Sequence, residues 1–320
     1  MVLFNKKGFA YLFSVVVLAG ILLLVFFTNN NYSFQEDQQL YKSRVLTIDN
    51  FIDDFNQDFS RAAYIASFRT LLALENQIAS SGEFYDDLGS HFKTAIVTGE
   101  VNGSVQEVIE GSTIKDYLTN VNKISGQVGI AVNATVNSVK LTQTDPWHVD
   151  VYVDTHVDIN DDKGLASWNF NKTYFTSVPI HSLRDPLYGV YTDNKIPNTI
   201  RQLNESPFVN GTDTSVLEEH IDGSYYVASD RAPSFLQRFE NNMTASDNGI
   251  ESIVNIVELS RQDISVYANR IKVDYIYFNN LPENKLCDIE YVDSDYEVVL
   301  PQNRVDRYDI DGLNYSTTCP

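Results

Sequence analysis

An α+β fold is predicted, in which an N-terminal transmembrane helix continues into a long amphipathic stem helix and then into an extracytoplasmic head of short helices and an antiparallel β-meander. Three observations carry this expectation. Residues 9–27 form an uncharged apolar run, no Pro or Gly occurs from 28 to 81, and the apolar period changes from helical to alternating after residue 128.

The apolar run FAYLFSVVVLAGILLLVFF follows Lys6, Lys7 and Gly8. About 20 apolar helical residues cross the ~30 Å core of a bilayer, so the run is read as a span. The two lysines precede it, which places the N-terminus in the cytoplasm, almost all of the chain outside, and the membrane among its partners. No Ala-x-Ala follows Phe27, so the run reads as an uncut anchor and not as a secretory signal peptide. The expected organisation is a basic leader at 1–8, a span at 9–27, a stem at 28–82 and a head at 83–320, with a sub-boundary near 180–225.

Lys6-Lys7-Gly8-Phe9 before a long apolar segment resembles the class III leader of type IV prepilins, particularly of archaeal pilin-like proteins. The resemblance is confined to the leader and the apolar run. It implies cleavage between Gly8 and Phe9 and self-association through the retained apolar helix. At the fifth position after that junction, where bacterial pilins keep Glu, this chain has Phe13.

In the stem, Tyr41, Val45, Ile48, Ile52, Phe55, Phe59, Ala62 and Ala66 follow steps of four and three, the spacing of an a/d seam. From Ile65 the stripe widens through Phe68, Leu71, Leu72, Leu74 and Ile78, so the far end of the stem is expected to pack into the head. Gly82 suits a helix C-cap. A continuous helix over 9–80 would be roughly 100 Å long.

Helices are expected over 84–96 and, capped by Ser112 or Thr113, through Ile124. Alternation then predicts strands over 128–136, 147–159 and 165–176, the last two joined by a turn at 161–164. Residues 179–223 read as loop, with Asp185-Pro186 as a structural turn. Helices are predicted at 233–240 and 249–261. Strands are predicted at 273–278, 289–292, 296–300 and 305–310. A helix packed on a meander, and an end bounded by a disulfide, also belong to the pilin resemblance.

The hydrophobic fraction of 43% and aromatic fraction of 12% are those of a folded chain and not of a disordered stalk. A net charge of -20 argues against nucleic acid and anionic lipid surfaces as partners. Asn-x-Ser/Thr triplets make Asn31, Asn102, Asn133, Asn171, Asn204, Asn210, Asn242 and Asn314 candidate glycosylation acceptors for an external chain. Cys287 and Cys319 either form a disulfide, closing a loop of about 30 residues for roughly 3 to 4 kcal/mol, or stand as free thiols in a reducing compartment.

The sharpest candidate for chemistry is the oxygen-rich segment with Asp158, Asn160 and Asp162 before Gly164, a candidate calcium loop. Its Gly falls one place late for an EF-hand and position twelve is Asn169, so a solvated hairpin turn is the competing account. The row His148, Asp150, Tyr152, Asp154, His156, Asp158 reads as the outer face of a half-buried strand. Next neighbours on it stand about 7 Å apart, too far for adjacent members to share one zinc ion. There is no Gly-x-Ser-x-Gly and no His-Glu-x-x-His. His91, His181 and His220 are isolated. No catalytic residue and no cofactor is assigned, and the expected role is that of a pilin-like structural or assembly component. The alternative is a bitopic ligand-binding or adhesion module.

Overall fold

The computed structural model describes residues 6–266, 270–279, 286–289, 292 and 297–310, and within these leaves aside the side chains of 6–10, 12, 28–37, 40 and 286. Helix α1 (Lys6–Ser81) is a single element of 76 residues, closed by Gly82 at φ +68°. Nothing in its sequence breaks the ladder of backbone bonds, which is why the apolar run and the stem are one rod.

The predicted transmembrane span is not found: among the described residues no helix is long and apolar enough to cross a membrane. The apolar run is not a separate element but the first part of a helix whose later turns carry Asp, Arg and Gln. The single-pass placement with an external head is corrected with it, and the transmembrane, cell-surface and prepilin-leader readings lose that support. Gly8 and Phe9 lie inside the first turns of α1, not at the boundary of an element.

The seam docks from Ile48 onward. Ile48, Phe55, Phe59, Ala63, Ala66, Leu71, Leu74 and Ile78 are buried, whereas Tyr41 and Val45 remain exposed at 52% and 42%. Ile65, expected to face the head, is exposed.

Around α1 pack α2 (Leu88–Thr98), the hairpin of β1 (Glu100–Val101) and β2 (Ser104–Val105), and α3 (Ile114–Gln127). Asp87 caps α2 through the Ser90 amide, and Gly99 ends it at φ +81°. Thr113 and Asp116 form a reciprocal capping box on α3.

The meander is β3 (Ile130–Asp145), β4 (His148–Asp161) and β5 (Ser167–Pro179), antiparallel in that order. β3 starts two residues later than predicted because Val128 is the C-cap of α3, and Val128 and Ile124 are both exposed. On β4 the predicted alternation holds for the apolar face, where Val149, Val151, Val153, Val157 and Ile159 are buried, and fails at Asp150, which is buried too. The sheet meets the stem through β5, where the Phe59 and Tyr174 rings lie 4.2 Å apart and the Tyr174 hydroxyl donates to Asn56 at 2.7 Å. Fully burying each such side chain contributes about 1.5–3 kcal/mol.

The remaining chain forms a second core. Its elements are α4 (Pro186–Tyr191), α5 (Ser215–Gly223), β6 (Tyr226–Ala228), α6 (Phe235–Phe239), β7 (Ile250–Ser252), α7 (Ile256–Arg261), β8 (Arg270–Ile271), α8 (Asp274–Asn279), β9 (Leu286–Ile289), β10 (Glu297–Pro301) and α9 (Gln302–Val305). β6 pairs with β7, and β10 lies between β8, to which it is parallel, and β9.

Here several predicted elements are corrected. The expected helix over 249–261 is split into β7 and α7, the latter capped by Asn255. The expected strand at 273–278 is α8: Asp274, Tyr275, Tyr277 and Phe278 are all buried, a spacing that suits one helix face and not an alternating strand. The expected strand at 305–310 is the end of α9 and a turn. The reading of 179–223 as loop omitted α4 and α5. Cys287 is buried on β9, and Cys319 lies outside the described residues, so the expected Cys287–Cys319 bridge lies outside them too.

Candidate functional site

The residues predicted to bind calcium do not converge. Asp158 sits on the outer face of β4, taking a hydrogen bond from the Asn169 amide, with its other oxygen 3.4 Å from His156. Asn160 is exposed at the end of the strand, and Asp162 lies beyond it in the turn. The turn's hub is Asp161, which accepts from Arg44 at 2.5 Å and from the amides of Lys163 and Leu165 at 3.0 and 3.2 Å. The Arg44 bond holds its carboxyl below the usual carboxylate range. Among the described residues no group of three or more His, Cys, Asp or Glu side chains could hold a metal ion.

The polar row on β4 pairs across the sheet instead of gathering. His148 lies 3.0 Å from Asp145, Thr173 donates to Asp154 at 2.9 Å, and His156 meets Asn171 at 2.8 Å. Asp150 departs from the expected exposure. It is buried, with Thr144 and Ser177 both donating to it.

Six of the candidate glycosylation acceptors, Asn102, Asn133, Asn171, Asn204, Asn210 and Asn242, are exposed. The Asn31 side chain and all of Asn314 lie outside the described ones.

The densest concentration of ionisable groups is one the sequence did not reveal. Ser234 and Gln237 form a capping box that starts α6, and this short helix turns Arg238 into the interior. Asp185 caps α4 by accepting from the Leu187 amide at 2.8 Å, with Pro186 supplying the first helical turn. Arg238 Nη1 then lies 2.6 Å from Asp185 and 2.8 Å from Asp274 at the start of α8, with all three side chains fully buried. Arg238 Nη2 also donates to the Ile250 carbonyl.

Further donors satisfy the carboxylates. Tyr226 gives its hydroxyl proton to Asp185 at 2.7 Å, and Ser252 donates to Asp274 through both its amide, at 3.2 Å, and its hydroxyl, at 3.0 Å. Beside this cluster Arg304 pairs with Glu251 at 2.9 Å and donates to the Tyr275 hydroxyl at 2.6 Å. Burial raises the carboxyls of Asp185 and Glu251 above their usual range, with their arginines opposing the shift.

Perturbed carboxylates can mark an active site, but these are sealed. A void of about 10 Å³ is the space that reaches Asp185, and it is too small for a substrate. The cluster ties α4, α6, β7 and α8 together and is a structural joint. Sequence signals for the caps were present in Asp185-Pro186 and Ser234-x-x-Gln237. Nothing in the spacing linked Arg238 to partners 53 and 36 residues away.

Two larger clefts open at the surface. One of about 660 Å³ lies where α1 enters the head, between Tyr41, Arg44, Val128, Asp162, Lys163 and Leu165. The other, about 350 Å³, places His91 3.5 Å from Asp86 next to Tyr85, but Asp86 is almost wholly solvated and the contact is open. Neither brings a nucleophile, a base and an orienting group together. The largest apolar exposure is elsewhere, on α1, where Phe13, Val16, Ile21, Leu22, Phe26 and Phe27 are each more than half exposed.

No protein family, curated protein or solved structure matches this chain.

Proposed function

We propose that this protein is a non-catalytic structural component that assembles with copies of itself through the N-terminal part of α1, with the head as the body each copy displays. The observation that carries this reading is the exposed, uncharged stretch of α1 around Phe13 to Phe27, projecting from a helix whose far end is embedded in the head core. Such a surface is unstable in water, and on the order of 1,000 Å² of apolar area is enough for a specific interface. Equivalent helices packed side by side would bury it. The sealed interior of the head supports a supporting role over a catalytic one.

Sedimentation analysis of the full chain tests this. The expected result is a concentration-dependent oligomer that the double substitution Ile21→Asp, Leu22→Asp converts to monomer with unchanged helix content. A wild-type chain that stays monomeric across the range overturns it. The 660 Å³ cleft favours a second reading, a ligand-binding module. In that case Val128→Glu would abolish capture of a ligand and leave the oligomer intact.

A further inference from the structure

The joint between α1 and the second core holds two polar atoms that the protein itself does not satisfy. Glu75, on the buried face of α1, is 5% exposed, and its Oε1 has no hydrogen-bond partner. Asn194, in the loop after α4, has an equally unpartnered Oδ1. Both residues line the same void of about 10 Å³ beneath α4, which Ile78, Pro186 and Gly189 line together with the exposed Arg184 and Pro197. That volume is about one water molecule.

Two acceptors facing one void cannot satisfy each other, because a carboxylate and an amide oxygen both lack a proton to give. The charged groups facing Glu75 do not resolve this. No charged neighbour on α1 lines the void. From the preceding loop come Arg184, whose side chain is exposed but whose backbone amide and charge both favour the ionised carboxyl, and Asp185, whose negative charge opposes that of Glu75. Behind Asp185 stand Arg238, already committed to Asp185 and Asp274, and the Tyr226 hydroxyl, already given to Asp185.

We propose that the void is an interior water site closed by a protonated Glu75, whose carboxyl donates to the water while the water donates to Asn194 Oδ1. The missing donor is then one proton and one water molecule, and every polar atom in the void is satisfied. The attachment of the long helix to the second core is therefore proton-linked. The same burial, opposed by Arg184, pushes the Glu75 carboxyl up to about 8, so its neutral form persists at physiological pH. The unfolded chain releases this proton near pH 4.5, so the contribution of Glu75 to stability falls as pH rises from 4.5 to 8 and is level above that.

Infrared difference spectra of the full chain, wild type against Glu75→Gln, provide the test. The expected result is the carbonyl band of a protonated carboxylic acid at pH 6.5, present only in the wild type and titrating away above pH 8. In parallel, the urea midpoint of the wild type should drop between pH 5.5 and 8.5 by more than that of Glu75→Gln. Absence of the band, or equal pH slopes, overturns the proposal and leaves an ionised Glu75 met by the Asn194 amide. Asn194→Ala keeps the test open should Glu75→Gln fail to fold. It removes the water's acceptor and should shift the acid carbonyl band, and an unmoved band overturns the relay.

Discussion

Arg238 on α6 and Asp274 on α8 meet at 2.8 Å with neither side chain reaching solvent, and the same guanidinium nitrogen lies 2.6 Å from Asp185. One cation thus answers two carboxylates from different parts of the chain. Removing it leaves both in a dry interior. Arg238→Met is expected to destabilise the protein by about 3–5 kcal/mol, the cost of stranding a buried partner. Urea unfolding measures it, and a loss under 1 kcal/mol would contradict the cluster's role as a joint.

His220 is fully buried between the rings of Phe208 and Tyr308, at 5.4 and 5.5 Å, and neither ring nitrogen has a partner. Burial lowers its pKa to about 3 from 6.5. The unfolded chain therefore binds a proton that the folded one refuses between these values, and stability falls as pH drops from 6.5 to 3. The loss is on the order of 5 kcal/mol across the full window. His220→Leu should flatten the acid limb relative to wild type in thermal melts. Glu75 acts with the opposite sign between pH 4.5 and 6.5, so the two variants must be read separately.

Gly249 stands where β7 begins, and a methyl group there would overlap the carbonyls of Ala232 and Ser229. Its own carbonyl accepts from the Ser229 amide at 2.9 Å, so the backbones cannot part without breaking the β6–β7 pairing. Gly249→Ala should cost several kcal/mol although it adds only one methyl group. The expected signature in hydrogen exchange is loss of protection at Val227 and Glu251 before any change on β4.

Phe59 is the stem's main anchor, touching Tyr174 at 4.2 Å and Tyr117 at 5.6 Å. Phe59→Ala is expected to cost about 3–5 kcal/mol, whereas Tyr174→Phe, which removes the bond to Asn56 and keeps the ring, should cost about 1 kcal/mol. Equal losses in denaturant titrations would mean that the hydroxyl, not the ring stack, fixes the stem.

Much of the first half was legible because its signals are local. The unbroken stem follows from the absence of Pro and Gly over 28–81, α3 from Thr113 ahead of its apolar face, and β4 from alternation of its valines. The second half resisted for the opposite reason. VDYIYF has the composition of a strand, but Asp274 must reach Arg238 and Ser252 at once, and a helix presents it together with Tyr277 and Phe278. Short elements there are fixed by partners far away in sequence. In the segment 158–164 the turn is organised by Asp161 and Arg44, a pair separated by 117 residues and so invisible to its local periodicity.

The embedding of α1 also sets an order of events. Its buried face is made well before the sheet that covers it, since Asn56 and its partner Tyr174 are 118 residues apart. At roughly 5 to 20 residues per second, the ribosome leaves that stripe bare for roughly 6 to 24 s before β5 exists to receive it. The nascent chain is thus a solvent-exposed amphipathic helix waiting for its sheet, and in that interval a chaperone has its clearest claim on Phe55 and Phe59.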